Sequence, residues 1–187
     1  MRRIVVGISG ASGSIYGVRL LKHLQDRPDV ESHLIVTRAG EKTLYQEIGL
    51  KLNDIKEMAT HSHSVEEIGA SIASGSYPVD GMVIAPCSIN TLSAIATGQT
   101  SNLLIRAADV TLKERRRLIL MVRECPLHLG HLRSMVAVAE IGAIIAPPLP
   151  AFYNKPQTLE EAVDQSVFRV LDLLGLPEPG VKPWQGC

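Results

Sequence analysis

Short apolar runs alternate with segments of helical periodicity along the chain. The runs are rich in β-branched residues and have few polar positions, which is typical of strands buried on both faces of a parallel sheet. Five strands are predicted on this basis: Ile4–Ile8, Leu34–Thr37, Met82–Ala85, Leu118–Val122 and Ala143–Ala146. Between them, apolar residues recur at the spacing of one helix face. The predicted helices are Tyr16–Leu24, Leu103–Arg117 and Leu159–Leu174.

This alternation predicts an α/β fold, a doubly wound, Rossmann-like (flavodoxin-like) parallel sheet with helices on both faces. The segment Leu50–Tyr77 is polar and weakly periodic, so short helices and loops are expected there. With 187 residues, 45% of them hydrophobic, the chain is expected to form one domain over residues 1–187. The tail from about residue 175 is too rich in proline for a helix, and we expect it to pack on the domain or on a neighbouring subunit.

Charge and cysteine content narrow the classes of function. Nineteen basic and nineteen acidic residues balance, so no overall field attracts nucleic acid or an anionic membrane. The apolar stretch near the N terminus is too short for a signal peptide or a membrane span, which favours a cytoplasmic protein. Cys87, Cys125 and Cys187 are widely spaced, so neither a disulfide framework nor a zinc site is predicted.

The glycine-rich stretch GISGASGSIYG, residues 7–17, lies between the first predicted strand and the first helix. Ligands of such sheets bind where the strands end, and the N–H groups at a helix N-terminus favour a phosphate. The dinucleotide motif GxGxxG fails because Ser12 replaces its second glycine, and no GK[ST] of a Walker A loop follows. A mononucleotide is therefore predicted. The alternative is that Gly10 and Gly13 serve only a tight turn and close helix packing.

A second polar loop, PCSINT, follows the Met82–Ala85 strand at the same edge of the sheet. Ser88, Asn90 and Thr91 stand where a helix begins, and such side chains cap a helix or bind a ligand. Capping accounts for one of them and rarely for all three. This loop is therefore predicted to contribute to the same ligand site.

Two histidine pairs and one cysteine receive no functional assignment. His61 and His63 have the spacing of a metal pair, but no third ligand follows at a useful spacing, so exposed loop histidines are expected. His128 and His131 are three residues apart without an obvious carboxylate partner. Cys87 is expected to be a small buried hydrophobe. No metal site is predicted.

Four motifs together resemble the UbiX-type flavin prenyltransferases, the group associated with UbiD-type aromatic acid decarboxylases. In chain order they are GASG, PCSINT, RAADVTLKERRRLILMVRE and PPLPAFYNKPQTLEEAVD, and they extend over nearly the whole chain. The resemblance implies a metal-independent transferase that joins the dimethylallyl group of dimethylallyl phosphate to N5 and C6 of reduced FMN. It further implies that the prenylated FMN passes to a UbiD-type decarboxylase and that the enzyme is a homo-oligomer, a dodecamer.

The resemblance also implies roles for individual residues. Those expected to hold FMN are Gly10, Ala11, Ser12, Thr37, Ser88, Ile89, Asn90, Thr91 and Arg123. Those expected around the allylic phosphate are Lys113, Arg123, Glu124, Tyr153, Arg169 and, in the tail, Trp184. Those expected to act in catalysis are Ser12, Glu47, Lys113 and Glu124.

These residue types suit the expected alkyl transfer. Breaking an allylic C–O bond requires cations around the leaving phosphate, and a carboxylate can accept the proton that leaves C6 of the flavin. By position alone, however, Glu47, Lys113 and Arg169 are equally typical of solvated helix residues.

Two segments depart from the pattern of the family and leave alternatives open. Many relatives have PCSMKT where this chain has Ile89 and Asn90, and IHLENM where it has GHLRSM, residues 130–135. PCSINT is also similar to the PASANT motif of flavin-dependent cysteine decarboxylases, although no clear match to their histidine is found. A further alternative is a flavin-binding accessory subunit without catalysis of its own.

Overall fold

A single sheet of six parallel strands organises the computed structural model, which describes residues 1–178. The strands are β1 (Arg2–Ile8), β2 (Val30–Val36), β3 (His61–His63), β4 (Gly81–Cys87), β5 (Arg117–Val122) and β6 (Ile144–Ile145). Their spatial order is β3-β2-β1-β4-β5-β6, and every pairing is parallel. The direction of strand addition reverses between β1 and β4. Ligands of such sheets bind at that point, outside the ends of the strands.

Helices cover both faces of the sheet, as predicted. They are α1 (Ser14–Gln25), α2 (Arg38–Ile48), α3 (Leu52–Lys56), α4 (Ile89–Ala96), α5 (Leu103–Lys113), α6 (Leu129–Glu140) and α7 (Leu159–Leu173). One buried cluster joins α1 and α7 to β1, for example through Leu21, Leu171 and Ile4. The other joins α4 and α5 to the opposite face, for example through Leu92 and Leu104. Because Ile4–Ile8 of β1 and all of β4 are buried on both faces, these stretches are apolar, which is why the sequence indicated them.

The predicted helix Leu103–Arg117 was too long, since α5 ends at Lys113. Arg115 has a positive φ of 56°, and Arg117 already begins β5. Arginine and lysine favour helices, so the basic run looks helical in isolation, but the chain must turn there to enter the sheet.

The outer strands of the sheet were predicted incompletely because they contain polar residues. Strand β2 begins at Val30, four residues before the predicted start, and includes Ser32 and His33, which are buried. Strand β3 was not predicted at all, because it consists of His61, Ser62 and His63 at the sheet edge. The expectation of exposed loop histidines was therefore wrong in part. His61 is exposed, but His63 is half-buried and its Nε2 lies 3.0 Å from Nδ1 of His33.

The beginning of the predicted tail contacts the domain. Leu176 is buried, and the Arg27 guanidinium donates to the Pro177 carbonyl at 3.0 Å and to the Glu178 carboxylate at 2.7 Å. Trp184 and Cys187 lie outside the described residues. Among residues 1–178, no helix is both long and apolar enough to cross a membrane.

Candidate active site

The turn after β1 donates hydrogen bonds to a carboxylate of the same chain, that of Glu47. Helix α1 has no side-chain cap, and Glu47 of α2 takes that place. The Glu47 carboxylate accepts from the Ser14 N–H at 2.9 Å and from the Gly13 N–H at 3.0 Å. Burial alone would raise the pKa of Glu47, but hydrogen bonds from Ser12, Ser14 and Gly13 outweigh it and lower the pKa. Glu47 is therefore held in its charged form.

Two N–H groups of the glycine-rich turn, those of Gly13 and Ser14, therefore donate to Glu47 and not to a phosphate. The glycines also have packing roles. A Cβ on Gly10 would lie 2.4 Å from Cβ of Ala39, and one on Gly17 would lie 2.4 Å from the Ala85 carbonyl oxygen. Gly13 has a positive φ of 101°. Close packing thus accounts for the glycines at these positions, and the expected contacts of Gly10, Ala11 and Ser12 with FMN stay a prediction.

A polar cleft of about 650 Å³ opens beside this turn, outside the ends of β1, β2 and β4. It contains several of the residues expected to bind FMN: Gly10, Thr37, Ser88, Asn90 and Thr91. Ala11 and Ser12 continue the turn from Gly10, with Ser12 exposed, whereas Ile89 packs against the apolar cluster under α4. The cleft lies at the switch point of the sheet, as the fold requires of a ligand site.

Three helices begin at this cleft, each with a side-chain cap. Thr37 accepts from the Gly40 N–H at 3.0 Å, and Ser88 accepts from the Thr91 N–H at 3.3 Å. Asn102 accepts from the Ile105 N–H at 3.0 Å. The positive ends of α2, α4 and α5 thus converge on one space, which favours an anion. Asn102 was missed by the sequence analysis, although asparagine before an apolar helix is a recognisable N-cap signal.

Ser9 joins the two loops of the cleft and was also missed. Its hydroxyl donates to the Pro86 carbonyl at 2.7 Å and accepts from the Ser88 N–H at 2.8 Å. It is 1% exposed. No local pattern indicates this role, because its partners are distant in sequence. At the mouth of the cleft, the Arg38 guanidinium lies 2.8 Å from a Glu66 carboxylate oxygen and is largely exposed.

A second cavity, also of about 650 Å³, lies outside the ends of β5 and β6, against α7. It brings together Tyr153 and Arg169, which were expected to bind the allylic phosphate, and its apolar wall includes Met121 and Phe168. The Arg169 guanidinium forms an ion pair with Asp172. Tyr153 is 61% exposed.

The remaining predicted residues are divided between the two edges of the sheet. Arg123 and Glu124 follow β5 directly, and the Arg123 N–H donates to the Cys87 carbonyl at 3.1 Å. The Glu124 carboxylate accepts from the Cys125 N–H at 3.0 Å. Lys113 instead lies at the end of α5, beside Gly75 and paired with Glu114, where β5 is about to begin. A single chain therefore does not bring Lys113 to the two cavities.

Comparison with known proteins agrees with this geometry. A family model described as Flavoprotein matches residues 1–163. The chain is 55% identical to the flavin prenyltransferase UbiX of Salmonella typhimurium, over 100% of both proteins. The crystal structure of AnUbiX (PadA1) in complex with FMN and dimethylallyl pyrophosphate gives a TM-score of 0.96 at 43% identity, covering 100% of this chain and 98% of that one.

A dodecameric FMN-dependent UbiX-like decarboxylase from Escherichia coli O157:H7 gives a TM-score of 0.95 at 42% identity, covering 98% of this chain and 100% of that one. These likenesses extend over the whole sheet and both cavities rather than over one motif. The resemblance found from GASG, PCSINT and the two longer motifs is thereby confirmed. The chain belongs to the UbiX family of flavin prenyltransferases, within the flavoproteins.

Proposed function

We propose that this protein joins the dimethylallyl group of dimethylallyl phosphate to N5 and C6 of reduced FMN, and that a UbiD-type decarboxylase uses the product. The observation that carries the proposal is the pair of cavities along one edge of the sheet. One contains the residues expected to hold FMN, and the other contains Tyr153 and Arg169. Two substrates that react with each other need two such spaces at the same edge of the sheet.

The chemistry of the first cleft fits FMN. Its volume of about 650 Å³ is within the range of roughly 300–1,000 Å³ found for ligand pockets. Because Glu47 already occupies the N-terminus of α1, the phosphate of FMN is assigned to the ends of α2, α4 and α5. The exposed amide of Asn90 is assigned to the polar chain of FMN. When bound, reduced FMN would supply the nucleophilic ring positions, N5 and C6, that two different carbons of the dimethylallyl group join.

The second cavity has the groups that the leaving phosphate requires. As the allylic C–O bond breaks, negative charge accumulates on the phosphate, and nearby cations stabilise it. Arg169 is assigned to this phosphate, with Arg123 beside it and Tyr153 as a hydrogen-bond donor. Met121 and Phe168 give the cavity an apolar side that keeps water from the developing carbon cation.

The two carboxylates are assigned different roles. Hydrogen bonds that lower the pKa of Glu47 stabilise its charged form, so they oppose proton uptake. We therefore assign Glu47 to holding the turn that carries Ser12 in position. We assign the proton transfer to Glu124, which is exposed directly after β5, next to Arg123. The departing phosphate is the other available base.

We assign Lys113 to the active site of a neighbouring copy. It stands at the opposite end of β5 from Arg123, so it cannot contact the phosphate held by its own chain. A homo-oligomer would bring it there, and the UbiX-like relative from Escherichia coli O157:H7 is a dodecamer. A dodecamer is accordingly proposed for this chain as well.

Mass spectrometry of the flavin tests the proposed activity. The protein is incubated without oxygen with reduced FMN and dimethylallyl phosphate, and the flavin is then extracted. The expected product is heavier than FMN by one five-carbon unit. Unchanged flavin that remains bound would indicate an accessory subunit, and release of carbon dioxide from a cysteine-ended peptide would indicate a cysteine decarboxylase. Either result would overturn the proposal.

A further inference from the structure

Outside both cavities, Glu31, His33 and His61 form a cluster on the outer strands of the sheet, here called the β2–β3 cluster. Nε2 of His61 lies 2.6 Å, and Nε2 of His33 lies 3.9 Å, from the same Glu31 oxygen, Oε1. One ligand atom from each residue lies within 4.8 Å of the other two. The cluster is distinct from the FMN cleft, because His33 precedes Thr37 by four residues, which is about 13 Å along a strand.

The register of the strands produces this cluster. His33 of β2 pairs directly with His61 of β3, so their side chains share one face of the sheet. Glu31 is two residues before His33 and therefore points to that face as well. No third ligand follows His61 and His63 in the sequence at a useful spacing. The partners come instead from the preceding strand.

In one tautomer, the hydrogen bonds of His33 place a lone pair on Nε2, and a bound ion would take that lone pair in place of the Tyr77 hydroxyl. Its Nδ1 lies 3.0 Å from Nε2 of His63, and its Nε2 lies 3.3 Å from the Tyr77 hydroxyl. Both contacts are satisfied when Nδ1–H donates to His63 and the Tyr77 hydroxyl donates to Nε2. Burial, followed by the neighbouring charges of His61 and His63, lowers the pKa of His33 to about 4. A neutral imidazole of this kind is the form that binds metals.

The other groups support the same role. The Arg3 guanidinium donates to Glu31 Oε2 at 2.8 Å, which orients the carboxylate and leaves Oε1 toward the two histidines. His63 holds the far nitrogen of His33, as the outer hydrogen-bond partners of metal-binding histidines commonly do. His61 is 47% exposed on its side chain and belongs to the edge strand, so a bound ion could keep solvent as a further ligand.

We infer that the β2–β3 cluster binds a divalent transition-metal ion of the Zn²⁺ type, through Nε2 of His33, Nε2 of His61 and the Glu31 carboxylate. Two imidazoles and one carboxylate form a donor set that suits Zn²⁺. Bonds of about 2.0–2.1 Å in a tetrahedral site require donors roughly 3.3 Å apart. The two distances to Glu31 Oε1 are 2.6 and 3.9 Å and all three donors lie within 4.8 Å of one another, so side-chain rotations would have to bring them to that spacing. The ion would fasten the three-residue edge strand β3 to β2, and it takes no part in the proposed transfer reaction.

Metal titration of the whole protein tests this inference. The protein is stripped with a chelator, and Zn²⁺ binding is measured by calorimetry, with the visible absorption of Co²⁺ reporting ligand geometry. One ion per chain is expected, with the absorption of a tetrahedral site. His61→Gln should lower the affinity at least about tenfold, and His63→Gln should lower it by a smaller factor.

The matched control is His128→Gln, because His128 and His131 form the other close histidine pair of the described residues, with ring centroids 3.5 Å apart. The control should bind Zn²⁺ as the unchanged protein does. The absence of saturable binding, unaltered binding by His61→Gln, or loss of binding by His128→Gln would each overturn the inference. An anomalous difference map from Zn²⁺-soaked crystals provides a test without any variant. A peak at His33 and His61 supports the site, and a peak only elsewhere excludes it.

Discussion

Replacing Glu47 by glutamine tests the unexpected closure of the glycine-rich turn. Glu47→Gln keeps the size of the side chain and one acceptor oxygen but removes the charge. The Gly13 and Ser14 N–H groups would then share a neutral acceptor at the start of α1, which has no other side-chain cap and no acidic residue in its first turn. The helix should be less stable for this reason.

The size of the effect follows from the groups involved. Loss of an N-cap acceptor costs about 0.5–2 kcal/mol, and loss of a charge at a helix N-terminus costs about 0.3–1 kcal/mol. Glutamine retains part of the first contribution, and the exposed position of Glu47 weakens the second by solvent screening. We therefore expect Glu47→Gln to lower the free energy of unfolding by about 1 kcal/mol, and Glu47→Ala by about 2 kcal/mol. The corresponding decreases in Tm are about 3 °C and 6 °C for a chain of this length.

The stabilisation that Glu47 gives to the folded protein should depend on pH. Because the folded protein lowers the pKa of Glu47, the stabilisation is complete above the unfolded pKa of about 4.3 and is lost as the pH falls through the folded value. The difference between the unchanged protein and Glu47→Gln should therefore be greatest at neutral pH and shrink below about pH 4.

Urea unfolding followed by circular dichroism at pH 7 and pH 3.5 measures both quantities. Exposed Glu57→Gln is the control, and it should change stability little at either pH. Equal stability of Glu47→Gln and the unchanged protein at pH 7, or a difference that persists undiminished at pH 3.5, would refute the assigned hydrogen bonds.

Three further predictions concern the cavities. Arg169→Met should raise the KM for dimethylallyl phosphate at least about tenfold while the Kd for FMN stays unchanged, and exposed Lys56→Met should alter neither. Gly10→Ala should weaken FMN binding in a fluorescence titration and cost about 1–3 kcal/mol of stability, because its Cβ would overlap Ala39; normal binding would contradict this packing. At dimethylallyl phosphate concentrations well below the raised KM, Lys113→Ala and Arg169→Met should each transfer the alkyl group slowly, but co-expressed in equal amounts they should form oligomers in which about a quarter of the sites are intact. Activity no higher than the sum of the separate variants would place Lys113 in its own chain's site.

The central strands were predictable because the physics that forms them is local. Burial on both faces of β1, β4 and β5 demands an apolar run, and such runs are visible in the sequence. The outer strands lack this signal. In β2 the polar residues Ser32 and His33 are buried by pairing with Thr60 and His63, and those partners are about thirty residues away. The three residues of β3 have no hydrophobic period at all.

The polar cleft was predictable to a similar extent. Ser88 and Thr91 could be placed because their loop follows a predicted strand and begins a helix, so the general rule for parallel sheets applied. Glu47 could not be placed in this way. Its hydrogen bonds join residues 33 and 34 positions apart, and they occupy two N–H groups of the glycine-rich turn. The turn offers amides as predicted, but the chain supplies the anion that binds them.

The position of Lys113 within a single chain does not explain its expected role. Strand β5 separates Lys113 from Arg123, and an extended strand of six residues spans about 20 Å. No rotation of a lysine side chain covers that length, since its ammonium lies only about 6 Å from its Cα. A role for Lys113 beside the allylic phosphate thus requires a second copy whose α5 end meets the first copy's carboxyl edge. If that role is real, assembly is a condition of catalysis in this protein, and a separated monomer should bind FMN in its own cleft yet fail to transfer the alkyl group.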